Sequence, residues 1–446
     1  MISRRARSGL LLAALLLLGA LPARAAEVVE ATLENGLKVL LLEDHRSPVI
    51  SLQIWYRVGS RNERIGLSGL SHYLEHMMFK GTSKYGPRAY ARLVEEQGGQ
   101  ENAFTAQDAT TYFVNIVADK IELILDLEAE RMRHLLLEAR EVDAERKVIL
   151  EERRTRTEDD PIGTLAEELN AVAFKAHPYR IPPIGFMDDI QRITAQDLRR
   201  WYDTYYVPNN AVLVAVGDFV AAELLAKIRA RFEAIPRSPD PPAVQIVEPA
   251  QRGERRVWVK KEAQLPVIFM GYHTPNITSP DAYALEVTAT ILSAGRTSRL
   301  YRRLVYEERL ALDAGGDYTR LSLDPDMFTF YATVLPGKTV EDVERVLLAE
   351  VERLRTEPVG AEELQRAKNQ LESGFVFGQD SVYVRASTLA RHELVGSWRL
   401  RDEFLPRIRA VTARDIQDVA RRYFVGDHQT TAILVPVPPA ASQPAR

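Results

Sequence analysis

Pro48-Val49-Ile50 recurs as Pro266-Val267-Ile268, and Ile193-Thr194-Ala195-Gln196-Asp197-Leu198 recurs as Val411-Thr412-Ala413-Arg414-Asp415-Ile416, each pair 218 residues apart. A common offset near half of a 446-residue chain is what an internal duplication produces, so the fold must be one architecture built twice. Between the copies, Ile235 to Gly253 contains Pro236, Pro239, Pro241, Pro242 and Pro249, which deny the backbone both helix and interior strand. The boundaries that follow are a first unit over 26–234, a linker over 235–253 and a second unit over 254–437, with a Pro/Ala/Ser/Gln tail over 438–446 read as disordered.

Within the first unit, Leu37 to Leu42, Val49 to Arg57 and Tyr112 to Val117 carry β-branched and aromatic residues in strand-like runs. Leu67 to Phe79, Pro87 to Gln97, Lys120 to Leu137 and Val142 to Thr157 instead place apolar residues at three- and four-residue steps, the helical period. The expectation is α+β: two tandem homologous α/β-sandwich domains, mixed or antiparallel sheets packed with helices.

The N-terminus reads as an address. Arg4, Arg5 and Arg7 precede the apolar run Leu10 to Leu21, and Ala23-Arg24-Ala25 supplies a small-x-small cleavage pattern, so residues 1–25 read as a signal peptide. Those apolar residues fall short of the roughly 20 a membrane span requires. Ser3-Arg4-Arg5 leaves the twin-arginine route open beside the general secretory one. Cleavage removes four arginines and no acid, moving the net charge from -4 to -8, which argues against a nucleic-acid partner. With no second spanning stretch, the mature chain is expected in an exported compartment, and a bacterial periplasm fits best. The absence of cysteine excludes disulfides, thiolate metal sites and a cysteine nucleophile, so any metal must be held by His, Asp or Glu.

His72-Tyr73-Leu74-Glu75-His76 lies in a helical segment. At 3.6 residues per turn, His72 and His76 stand one turn apart on one face, able to reach one ion, with Glu75 beside them. Zinc needs three protein ligands and an open position for water, whose pKa it lowers to about 7; a neighbouring carboxylate can then take the proton. The segment Glu145 to Glu152 offers carboxylates on a second helix, with Glu145 and Glu152 about 10.5 Å apart along one face. His45, His134, His273 and His428 are isolated, and His392-Glu393 is not followed by a second His four residues after His392, so it does not form a His-Glu-x-x-His zinc motif.

The His-x-x-Glu-His order, followed by a helical Glu 76 residues after the second His, resembles the inverzincins of the pitrilysin/insulinase family, in particular its small two-domain, processing-type members. The likeness extends to Gly98-Gly99-Gln100-Glu101-Asn102-Ala103-Phe104-Thr105, Asp108 to Tyr112, and His177-Pro178-Tyr179. The resemblance implies one zinc held by His72, His76 and Glu152, with Glu75 as general base and Glu145 supporting the site from behind. Glu151, about 100° around the helix, is the rival third ligand, and spacing favours Glu152. It further implies peptide binding at Asn102, Ala103 and Phe104 along a strand, and two domains forming half of a clam-shell chamber. His177 is read as a structural histidine.

Shifting the zinc motif by 218 lands on Thr290 to Ala294, which contains no ligand, so the second domain is not a second zinc site. Active relatives usually carry there an Arg and, seven residues later, a Tyr that hold the scissile carbonyl. Aligned on Leu300-Tyr301, those positions are Val305 and Leu312. The departure resembles split enzymes, so a heterodimer is expected, with a paralogous subunit that lacks zinc ligands and brings the Arg/Tyr pair. Arg303, Tyr306, Arg309 or Tyr318 are the local substitutes if the alignment slips. The functional expectation is an exported zinc endopeptidase acting on short unfolded peptides; the alternative is a zinc-bound, non-catalytic scaffold subunit.

Overall fold

The structure is a computed structural model that describes residues 27–438; the expected signal peptide and the tail beyond 438 lie outside the described residues. In the first half, β1 (Val29–Thr32), β2 (Lys38–Glu43), β3 (Val49–Tyr56), β4 (Gln100–Thr105), β5 (Thr110–Val117) and β6 (Ala211–Gly217) form one sheet in the order β1-β2-β6-β3-β5-β4. In the second, β7 (Arg255–Glu262), β8 (Val267–Thr274), β9 (Ala311–Tyr318), β10 (Asp326–Val334) and β11 (Gln429–Val437) follow the order β7-β11-β8-β10-β9. Without β1 the two orders are the same. Each sheet has one parallel pair, β2 with β6 and β7 with β11, and antiparallel neighbours elsewhere. The duplication is therefore one mixed-sheet topology built twice.

Local signals explain the boundaries. The helix of the His motif runs Leu70–Met77, shorter than the apolar periodicity, because Gly69 at φ +88° ends the preceding turn in a left-handed conformation. The helix from Ile121 stops at Arg133, and Leu135 then bridges to Thr82. The carboxylate-bearing helix spans Ala139–Arg153 and widens into a π-turn over Arg154–Glu158. Thr194 and Thr412 each cap a helix by accepting the N–H of the Asp three residues on, so the repeated Thr-x-x-Asp is a duplicated capping box.

The two halves are less independent than tandem domains with separate cores. One face of the first sheet is covered by its own helices, among them the His72 helix. The other face, with Leu40, Leu42, Trp55, Val212, Val214 and Val216, is covered by the second half's helix Val382–Val395 through Ala386, Leu389 and Ala390. Reciprocally, the first half's helix Pro161–Ala173 lays Leu165, Leu169 and Ala173 on Val267, Ala432 and Leu434 of the second sheet. Both faces of β6 are thus dry, which is why Ala211–Gly217 reads as a continuous apolar run rather than an alternation. At about 1.5–3 kcal/mol for each large side chain buried, this exchange makes each sheet depend on the other half.

Residues 236–254 form no helix or strand. Glu248 accepts the backbone N–H groups of Lys175, Ala176 and His177 at 2.7–2.9 Å, and Gln251 donates to the Gln429 carbonyl at 2.7 Å. The connector is therefore pinned to both halves.

Candidate metal and catalytic site

Glu63 fixes the entrance of the His72 helix. Its carboxylate accepts the N–H of Gly69 at 2.6 Å and of Ser71 at 2.7 Å, two donors that a helix start leaves unsatisfied. Asp189 accepts from the Gly66 N–H, the Ser68 N–H and the Ser68 hydroxyl at 2.7–3.0 Å and anchors the preceding turn. The Tyr73 hydroxyl donates to the Val142 carbonyl and locks this helix to Ala139–Arg153.

That packing brings together the imidazoles of His72 and His76 and the carboxylate of Glu152. One ligand atom from each lies within 4.8 Å of the others. His76 Nε2 is 3.3 Å and His72 Nε2 is 3.7 Å from the Glu152 carboxylate. Glu151 points elsewhere, paired with Arg154 and largely exposed.

Behind the cluster, His76 Nδ1 sits 2.9 Å from Glu145 Oε1, and Lys80 pairs with the same carboxylate. This leaves Nε2 of His76 as the inward atom and fixes its ring. Burial and the neighbouring His76 hold His72 neutral, its pKa pulled down to about 4, so a lone pair is available. For His76, burial disfavours the charged ring, yet its hydrogen bonds to the Glu145 and Glu152 carboxylates prevail and raise it to about 9. The carboxylates thus favour positive charge where the three donors meet. Two imidazoles and one carboxylate with a position left over are a donor set that suits zinc.

Glu75 lies beside the donors and does not join them. Its Oε2 accepts the Thr105 hydroxyl at 2.6 Å. Burial raises its pKa, and the Thr105 hydrogen bond partly offsets that. The carboxylate is therefore oriented and has an increased affinity for a proton.

Thr105 ends β4, the outer strand of its sheet, whose free edge can pair with an extended chain. Asn102 and Ala103 lie on this strand, and the Asn102 side chain accepts the Ala103 N–H at 2.8 Å. The Phe104 side chain turns to the opposite face, edge-on to Trp55 with centroids 5.3 Å apart, so only its backbone is left for a peptide.

The motifs around Asp108 and His177 meet at the junction of the halves. Asp108 accepts the Tyr179 hydroxyl at 2.8 Å and the Leu323 N–H at 2.9 Å, while the Asp324 N–H donates to the Tyr179 hydroxyl at 3.0 Å. His177 Nε2 is 3.0 Å from Asp324, which also pairs with Arg61. His177 is an interface residue, outside the group of donors formed by His72, His76 and Glu152.

In the second half, Val305 lies on the turn Tyr301–Glu307 and packs on the core, while Leu312, on β9, is 57% exposed. Arg303 is paired with Glu308 and Glu350, and the buried Tyr318 donates to the Pro275 carbonyl. Tyr306 is 75% exposed, and Arg309 holds a positive φ of 50°.

Nothing in the sequence alone marks a role for Lys80, Arg156 or the Asp108–Tyr179 pair. Thr105 had one signal, its place at the end of a motif that resembled a peptide-binding strand.

Residues 38–185 match the family model described as Insulinase (Peptidase family M16), and residues 192–371 match that described as Peptidase M16 inactive domain. The chain is 33% identical over 413 residues to the zinc protease PqqE of Helicobacter pylori, covering 91% of this chain and 92% of that protein. A crystal structure of a protease from Helicobacter pylori superimposes with a TM-score of 0.90 at 32% identity, over 92% of this chain and all of that one. The periplasmic protease PqqL from Escherichia coli shares the fold, with a TM-score of 0.77 at 21% identity over 94% of this chain and 48% of that chain.

Proposed function

The chain belongs to the insulinase family of zinc proteases, peptidase family M16, and from that premise we propose that it is an exported zinc-dependent endopeptidase subunit that cleaves short unfolded peptides. The observation that carries this reading is Glu75, oriented by Thr105 beside the converging His72, His76 and Glu152. A site serving only to hold structure would close every ligand position and would have no use for a proton acceptor.

His72, His76 and Glu152 would hold a zinc ion, which when bound would supply Lewis acidity toward the scissile carbonyl and water. The protein supplies the rest. The free edge of β4 orients an extended peptide, with Asn102, Ala103 and the Phe104 backbone as contacts. Glu75 takes a proton on the carboxylate oxygen not engaged by Thr105 and returns it to the leaving amine. Glu145 keeps His76 in one tautomer and orientation throughout.

Val305 and Leu312 stand where the Arg/Tyr pair is expected, and such a donor is worth on the order of 10²- to 10³-fold in rate. We therefore assign the pair to a paralogous subunit without zinc ligands, which completes the chamber as a heterodimer. PqqL supports this reading, because this chain spans only 48% of it, leaving length for a second unit of similar size. The N-terminal pattern and the periplasmic location of PqqL favour the periplasm.

The test is cleavage of a mixed pool of unstructured peptides by the zinc-loaded mature chain, alone and with the paralogous chain. Chelator-sensitive cleavage that Glu75→Gln abolishes supports the peptidase; if it needs the second chain, the split arrangement is supported too. Zinc binding with silence in both mixtures would overturn the reading in favour of a scaffold subunit, which the missing Arg/Tyr pair would then explain.

A further inference from the structure

Beside the donors lies a cavity of about 260 Å³ whose wall includes His72 and Thr105. The π-turn Arg154–Glu158, the helix Pro161–Ala173 and the segment from Tyr179 to Ile184 enclose it, and Ala166, Ile181 and Ile184 give it an apolar lining. The charged groups in the wall are Arg156, Arg180 and Glu167, beside the neutral His72.

Their pairing is unequal. Both oxygens of Glu167 are taken by the guanidinium fork of Arg153, at 2.5 and 2.9 Å, so that carboxylate is neutralised from behind. Arg156 reaches Glu152 at 2.8 Å, but the same carboxylate also faces His72 and His76, and the Arg156 side chain remains 71% exposed. Arg180 donates one N–H to the Lys175 carbonyl at 3.0 Å, and no carboxylate among the described residues pairs with it. Two arginines whose guanidinium groups keep spare donors, Arg156 and Arg180, thus line a cavity that also has apolar walls. A π-turn placing Arg156 and Thr157 in its wall fits the tendency of such turns to occur at functional sites.

We infer that this cavity is a specificity pocket for an acidic side chain, Asp or Glu, flanking the bond that is cut. The inference rests on the peptidase reading for its substrate class. A short carboxylate fits the geometry because planar guanidinium groups bind it in paired hydrogen bonds. A lysine or arginine would meet like charge.

The experiment has a cleavage arm and a binding arm. In the first, the active form, alone or with its partner chain, cuts the unstructured peptide pool, and the cut sites should show one flanking position enriched at least tenfold in Asp and Glu over Lys and Arg. Arg180→Glu should remove or invert that enrichment. Arg180→Gln, which keeps a donor for the Lys175 carbonyl, should lie between and guards against a misfolded variant. In the second arm, zinc-loaded Glu75→Gln protein binds two fluorescent peptides that differ only by Asp against Lys at that position, or at each position in turn if nothing is cut. The Asp peptide should bind about tenfold tighter, and adding Arg180→Glu should reverse the order. Discrimination in binding without any cleavage would sink the peptidase reading and keep the pocket. Cleavage or binding indifferent to this charge, or unmoved by Arg180→Glu, would overturn the pocket.

Discussion

His76 Nδ1 lies 2.9 Å from Glu145 Oε1, and through this contact a carboxylate 69 residues away decides which imidazole nitrogen faces the donor cluster. Under the proposed zinc site the bond would orient a ligand rather than supply one, so its loss should weaken metal binding without abolishing it. Glu145→Ala should lower zinc affinity roughly 10- to 100-fold, measured by competition with a chromophoric chelator. An unchanged affinity would mean that packing alone sets the ring.

Thr105 donates to Glu75 at 2.6 Å, and under the proposed peptidase function this is the pair that would serve proton transfer. Thr105→Val keeps the shape and removes the donor. With a hydrogen bond to a charged group worth about 1.5–3 kcal/mol, kcat should fall roughly tenfold or more with zinc content unchanged. Glu75→Gln should keep zinc and lose turnover, whereas His72→Ala should lose both; steady-state kinetics beside metal analysis separates the cases.

The junction of the halves is testable by a double-mutant cycle. Tyr179 donates to Asp108 and accepts from the Asp324 N–H, so one hydroxyl serves both halves. Tyr179→Phe leaves those groups short of a partner and should cost about 1–3 kcal/mol in urea unfolding. Combined with Asp108→Asn, the losses should be markedly less than additive. Full additivity would show that the two do not act together.

Asp44 gives a pH dependence with a defined sign. It is buried and accepts from Arg46 at 2.7 and 2.9 Å, and it pairs with Arg385 of the second half. The Arg46 hydrogen bonds, working against burial and aided by Arg385, lower its pKa from 3.8 to about 2. A folded pKa below the unfolded value means that the stabilisation is present above about pH 4 and is lost as pH falls toward 2. It amounts to roughly 2 kcal/mol at neutral pH, taking about 1.4 kcal/mol per pKa unit. Wild type should therefore exceed Asp44→Asn in unfolding midpoint at pH 7, with the gap shrinking at pH 3. A constant gap would locate the Asp44 contribution outside its charge.

Much of the local structure was legible because it depends on neighbours in sequence. The 3.6-residue period puts His72 and His76 on one helix face whatever surrounds them, and Thr194 and Thr412 announce their helices through the Asp three positions on. Helix ends depart from the apolar spacing where a backbone feature intervenes that spacing does not report, such as the left-handed Gly69 or the π-turn after Arg153. The resemblance carried the rest of the site, and spacing favours Glu152 over Glu151 without deciding which carboxylate meets the histidines.

The sequence by itself determined that one architecture occurs twice, that any metal must rest on imidazole and carboxylate, and that the second copy lacks the ligands. These follow from an offset, a composition and a missing motif. Only the tertiary structure decided that Glu152 joins the histidines while Glu151 faces solvent, that Thr105 holds Glu75, and that each half lends a helix to the other's sheet. The reason is physical. Periodicity specifies which face of a helix or strand is apolar, but an apolar face does not encode which distant surface will cover it. The contacts that set the site join residues whose meeting depends on how the helices dock.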